Sequence, residues 1–160
     1  VSLDQLNAIR AMQASSPGPD LNGPPAEVRE QFEQMFAAIP LAPDVAFQPA
    51  EPGGVPALWS RTSDLHGDRV LLYLHGGAYV IGSAHAYRFL WSELARLTGA
   101  RGLGLHYRLA PENPFPAAVD DAVAAYRWLL EEGVKPGDIV VAGDSAGGGL
   151  TIAMLVAARR

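Results

Sequence analysis

The chain has 160 residues, 49% of them hydrophobic, and carries 12 basic against 17 acidic side chains for a net charge of −5. That is enough apolar material for one globular domain and too much for a disordered segment, and with no basic run there is nothing to neutralise a phosphate backbone, which argues against nucleic acid as a partner. Cysteine is absent, which removes disulfides, thiolate metal sites and thiol catalysis together.

In chain order, "SLDQLNAIRAMQA" and "AEVREQFEQMFAAI" predict two helices, joined by the loop "SSPGPDLNGPP". The opening residues have neither the basic nor the apolar region of a secretory leader, and no apolar run approaches the ~20 residues that cross a bilayer. The expectation is a soluble cytoplasmic protein without a membrane span, with residues lost ahead of Val1. In the second helix Val28, Phe32, Met35, Phe36 and Ile39 form one stripe. No strand separates the two helices, so both are expected to lie on a later part of the chain. "VAFQP" and "VPALWS", separated by "AEPGG", predict a hairpin or meander.

From Arg69 onward, apolar strands alternate with amphipathic helices. "RVLLYL" leads through a glycine loop to "AYRFLWSELARLTG", where Leu90, Leu94 and Leu97 share a face and Gly99 is the expected stop. "ARGLGLH" leads to "PAAVDDAVAAYRWLLEEG", with Val119, Val123, Tyr126 and Leu130 inward, and "DIVVA" leads to "GGGLTIAMLVAARR". Strands without polar alternation, each followed by a helix, imply a mostly parallel sheet covered on both faces. The chain contains no internal repeat and no low-complexity segment.

Ligands of such a sheet gather at the carboxyl ends of its strands. There the sequence places "HGGAY" (75–79), "HYRLAPE" (106–112) and "GDSAGG" (143–148). Gly143-Asp144-Ser145-Ala146-Gly147 fits Gly-x-Ser-x-Gly between a strand and a helix, the setting of a nucleophile elbow, although the pentapeptide alone fits a plain tight turn equally well. The Gly-Gly loop shifts the balance. Acyl transfer needs backbone N–H groups aimed at an oxyanion, and Gly76 and Gly77 can supply them without a Cβ in the way, with the N–H of Ala146 as a third.

Together "HGGAYVIGS", "YRLAPENPFPAAVDDAVAAYRWL" and "GDSAGGGL" resemble the bacterial hormone-sensitive lipase-like esterases of the α/β-hydrolase superfamily, from about residue 40 to the end. The resemblance implies an α/β-hydrolase fold with helical cap elements in residues 1–40 and the N-terminal part of the hydrolase domain in residues 41–160. It implies Ser145 as nucleophile, Gly76, Gly77 and Ala146 as oxyanion donors, and His75 as support for the oxyanion loop. Tyr107 to Glu112, Asp120 and Asp121 become structural braces, and Asp144 is also read as structural. The implied activity is hydrolysis of small or medium acyl esters through an acyl-enzyme, with no cofactor and no metal. The chain departs from the family pattern at Ala78, where glycine is frequent.

In that family the acid and base follow the serine in the order Ser, Asp, His, yet residues 146–160 contain no Asp, Glu or His. Of the four histidines, His75 is the one to test as a substitute base. His106 ends a strand not adjacent to that of Ser145, and His66 and His85 read as solvated or capping residues. The chain therefore reads as the N-terminal half of a longer hydrolase. Its alternatives are a binding module that keeps the pocket without hydrolysis, or an inactive fragment pairing the bare edge of "DIVVA" with another copy.

Overall fold

The structure, a computed structural model, describes residues 2–15, 20–63 and 68–159, without the side chains of residues 12 and 13. His66 lies outside the described residues. Helices α1 (Leu3–Ser15) and α2 (Pro25–Ala37) precede strands β1 (Ala46–Ala50) and β2 (Ala57–Arg61). Then follow β3 (Val70–Leu74), α3 (Arg88–Thr98), β4 (Arg101–Leu105), α4 (Ala117–Glu131), β5 (Ile139–Gly143) and α5 (Ser145–Ala158). Among the described residues the strands form one sheet in the order β1-β2-β4-β3-β5. The β1–β2 hairpin is antiparallel, β2 runs antiparallel to β4, and β3 pairs in parallel with both β4 and β5.

Strand β3 lies between β4 and β5 and is apolar on both sides because both of its faces are covered. Val70, Leu72 and Leu74 meet Leu129 of α4 and Leu150 and Met154 of α5, while Leu71 meets Ala95 of α3 on the opposite face. Core burial of this kind contributes about 1.5–3 kcal/mol for each large apolar side chain.

Helix α3 buries a face other than the leucine stripe. Trp91, Ser92 and Ala95 point inward, whereas Leu94 and Leu97 are exposed. The reason lies in β4: a Cβ on Gly104 would stand 2.6 Å from Trp91 Cε2, and one on Gly102 would stand 3.0 Å from both Trp91 Cε3 and Ala95 Cβ. The two glycines make a seat for the indole, whose Nε1 donates to Ala84 O at 2.8 Å. Gly99 ends the helix at φ 65°, as its position predicts.

In α4 the inward line is Ala122, Ala125 and Leu129 beside Val123, while Val119 and Tyr126 are only partly buried. Helix α2 packs as expected, with Val28 and Phe32 against Ile81 and Ala86, and Phe36 at the margin; Met35 of the same stripe faces solvent. The expected packing of α1 is not seen among the described residues. Its described side chains are exposed, including Leu3, Leu6 and Ile9. Those apolar residues recur at i, i+3 and i+6 and lie along one side of the helix, a stripe that no described residue covers.

Candidate active site

Ser145 is the first residue of α5 and sits at φ +49°, a left-handed conformation that non-glycine residues avoid. The two flanking glycines make the turn possible. A Cβ on Gly143 would lie 2.5 Å from both Leu74 O and Gly147 O, and a Cβ on Gly147 would lie 1.9 Å from Leu74 O. The start of α5 therefore crosses directly over the end of β3. The serine is left exposed at the sheet's carboxyl edge, with the unpaired N–H groups of a helix start beside it.

Asp144 faces the other way. Its Oδ1 accepts the Tyr73 hydroxyl and the Gly76 N–H, each at 2.8 Å. A Cβ on Gly76 would fall 2.2 Å from the other carboxylate oxygen, so only glycine fits there. One carboxylate thus ties the turn after β5 to the loop after β3. Burial pushes the Tyr73 and Tyr107 hydroxyls well above the usual phenol range and Tyr87 up to about 12, aided in each by the Asp144 charge, so all three remain donors.

This contact corrects one expectation. The Gly76 N–H is already spent on Asp144 and does not face an oxyanion. The next amides belong to Gly77 (φ +118°) and Ala78 (φ +55°), in a turn closed by Val80 and Ile81 N–H donating to Gly77 O at 2.9 Å. Gly77, Ala78 and Ser145 line one cavity of about 400 Å³, whose other wall is Leu21, Pro25 and Val28 from α2 and the loop before it. A candidate nucleophile, candidate amide donors and an apolar wall therefore share one space, an arrangement suited to acyl transfer.

His75 is 1% exposed, and its ring stacks on Tyr107 with centroids 4.2 Å apart. Nδ1 lies 2.7 Å from Gly76 O, which can only accept, so Nδ1 carries the proton and Nε2 the lone pair. Tyr107 closes the arrangement by donating to His75 O at 2.6 Å. Burial lowers the His75 pKa to about 4. The ring is neutral at pH 7 but a weak base, and its hydrogen-bond partners are Gly76 and Tyr107, not Ser145, which speaks against the substitute-base reading. His106 directly follows β4, a strand two places from β5, and burial lowers its pKa as well. His85 is exposed before α3.

The segment after β4 is braced as its sequence implies: Asp121 accepts the Arg108 N–H at 2.8 Å and its guanidinium at 2.7–3.0 Å. Asp120 is exposed. Sequence reasoning missed Tyr73, the one hydroxyl in an otherwise aliphatic strand, and Arg29, which sits beside the apolar stripe of α2 with no motif around it. Among the described residues no group of three or more His, Asp or Glu side chains could hold a metal ion.

A serine forced into a left-handed turn between a parallel strand and a helix, opposite a glycine loop from the neighbouring strand, defines the nucleophile-elbow class of α/β proteins. Residues 71–160 match the family described as alpha/beta hydrolase fold, and the chain belongs to it. It is 56% identical over 107 residues to an acetyl-hydrolase of Streptomyces hygroscopicus, covering 67% of this chain and 36% of that protein. An ethyl acetate hydrolase of Pseudomonas putida is 36% identical over 156 residues, covering 84% of this chain and 47% of that one. The crystal structure of an esterase from the bacterial hormone-sensitive lipase family superposes with a TM-score of 0.86 at 46% identity, over 98% of this chain and 52% of that one. The resemblance seen in the motifs therefore holds. The chain spans about a third to a half of the curated relatives it matches and about half of the solved structure.

Proposed function

We propose that the protein is a carboxylic ester hydrolase in which Ser145 Oγ attacks the carbonyl carbon of a small or medium acyl ester. The carbonyl oxygen becomes an oxyanion held by the N–H groups of Gly77 and Ala146, with Ala78 in the place first given to Gly76. Collapse of the tetrahedral intermediate expels the alcohol and leaves an acyl-enzyme, which water then hydrolyses. His75 holds the loop through the Gly76 carbonyl, and the elements before residue 41 form a cap over the cavity. The reaction needs a base for the Ser145 proton, and its supply by polypeptide outside these 160 residues is part of the proposal.

The observation that carries this reading is the strained Ser145 beside the Gly77–Ala78 turn in one cavity. The relatives named acetyl-hydrolase and ethyl acetate hydrolase support a short acyl group. A cytoplasmic location belongs to the same reading and draws on the lack of cysteine; among the described residues no helix is long and apolar enough to cross a membrane. Pairing through the edge of β5 is likewise proposed, from the 61% exposure of Val140 on that strand.

The test is turnover of p-nitrophenyl butyrate beside Ser145→Ala, with intact mass measured on the same sample. The variant is expected to lose kcat by about 10⁵–10⁶. Equal turnover by both forms would end the proposal. Saturable ester binding without product would favour a binding module instead.

A further inference from the structure

We propose that Arg29 of helix α2 is a positioning residue for the oxyanion loop. The inference rests on the reading of the Gly77–Ala78 turn as the oxyanion hole. Arg29 Nε donates to Val80 O at 2.7 Å, and Nη2 donates to Ala110 O at 2.8 Å. The same guanidinium meets the Glu112 carboxylate with two bonds, Nη1 to Oε1 at 3.0 Å and Nη2 to Oε2 at 2.7 Å.

These contacts grip the loop at two points. Val80 stands two residues past Ala78 and is held directly. Ala110 is held through its carbonyl, and its own N–H donates to Tyr79 O at 2.8 Å, so the side chain also fixes Tyr79 at one remove. Ala78 and Tyr79, just before and at those points, both lie at positive φ, +55° and +62°. Non-glycine residues keep such a conformation only when their surroundings over-determine it.

A planar fork of donors at fixed angles suits this task. A lysine at the same place would be a single mobile charge unable to span both carbonyls in one plane. One helical turn further on, Glu33 accepts a hydrogen bond from Ser83 Oγ, so α2 is anchored to residues 80–83 twice. Of these two α2 side chains, Arg29 is the one that reaches the loop backbone, at Val80 O. The helix that walls the cavity therefore also sets the aim of the amides across it. Since amide aim matters most when charge develops on the substrate, losing Arg29 should cost turnover rather than substrate binding.

The experiment compares Arg29→Met and Arg29→Lys with the unaltered protein at its natural length. It reads kcat and KM for p-nitrophenyl butyrate, and amide hydrogen exchange at Val80, Ile81 and Ala110 with Leu72 and Leu103 as internal references. For Arg29→Met the expected result is a kcat lower by about tenfold to a hundredfold with KM nearly unchanged. Exchange at Val80, Ile81 and Ala110 should rise about tenfold or more while the reference amides stay still. Arg29→Lys should recover only part of the kcat.

Unchanged kcat, a change confined to KM, full recovery by lysine, or exchange that rises equally at Leu72 and Leu103 would each overturn the proposal. Absence of serine-dependent turnover in the unaltered protein would instead refute the esterase reading. The exchange measurement alone would then decide whether Arg29 holds the loop.

Discussion

The carboxyl end of β5 and its outer flank obey different rules. At the end, Gly143, Asp144 and Ser145 are held by the crossing of α5 over β3, by the Tyr73 hydroxyl and by the Gly76 amide. Along the flank, Val140 and the outward residues Ile152, Leu155 and Val156 of α5 are apolar and exposed. The inward residues of the same helix, Leu150 and Met154, are fully buried. A helix that is apolar all round belongs in a core, and an edge strand meant for solvent usually carries lysine, proline or a bulge. β5 carries none of these. The fixed region is where chemistry is proposed, and the bare one is apolar surface that these 160 residues leave uncovered.

The largest effect that would break this contrast is steric. Gly147→Ala puts a Cβ 1.9 Å from the Leu74 carbonyl oxygen, which as backbone has no rotamer to retreat into. We expect a loss of about 3 kcal/mol or more in denaturant unfolding, well above an ordinary surface change.

Next comes a pH effect confined to the fixed region. The His75 pKa is lowered to about 4 from 6.5 by burial, so the folded state resists a proton that the unfolded chain accepts. The stabilisation is fully present above about pH 6.5 and is lost as pH falls toward about 4, in all about 3 kcal/mol. His75→Gln should flatten that slope in urea titrations across the window.

Smaller still is the backbone strain at Ser145. Ser145→Gly relieves a left-handed non-glycine residue, whereas Ser145→Ala keeps the strain. Both lose turnover, but the glycine variant should be the more stable of the two by about 1 kcal/mol on thermal unfolding. The smallest effect belongs to the flank. Val140→Lys should move the stability of the 160-residue chain by no more than about 0.5 kcal/mol while lowering any concentration-dependent mass in light scattering.

Much of this was legible in the sequence because it rests on local chemistry. The alternation of apolar strand and helix after Arg69 announces a parallel sheet, and the spacing of glycines round Ser145 announces the elbow. The donor assignment was less accessible. Nothing in "HGGAY" says that the first glycine amide will be claimed by Asp144, 68 residues away, since that depends on two loops meeting across the sheet. The packing faces of α3 and α4 shifted for a similar reason. Periodicity finds the leucines, but the face that docks is set by the room available on the partner strand. Helix α1 shows the converse, because its stripe of Leu3, Leu6 and Ile9 has no partner surface among the described residues.

The seat that Gly102 and Gly104 make for Trp91 bears on how this chain could change over time. The indole fills the space above both glycines, contacts Phe47 edge-on at 5.7 Å and bonds Ala84 ahead of α3. Trp91 and the two glycines, on successive elements of the chain, therefore form one steric unit, and a step at any of them is judged by the state of the other two. Gly104→Ala alone collides with the ring, and Trp91→Phe alone leaves a void. Made together, their costs should fall short of the sum. Drift through this region is thus expected to be path-dependent, with the large residue giving way before either small one grows.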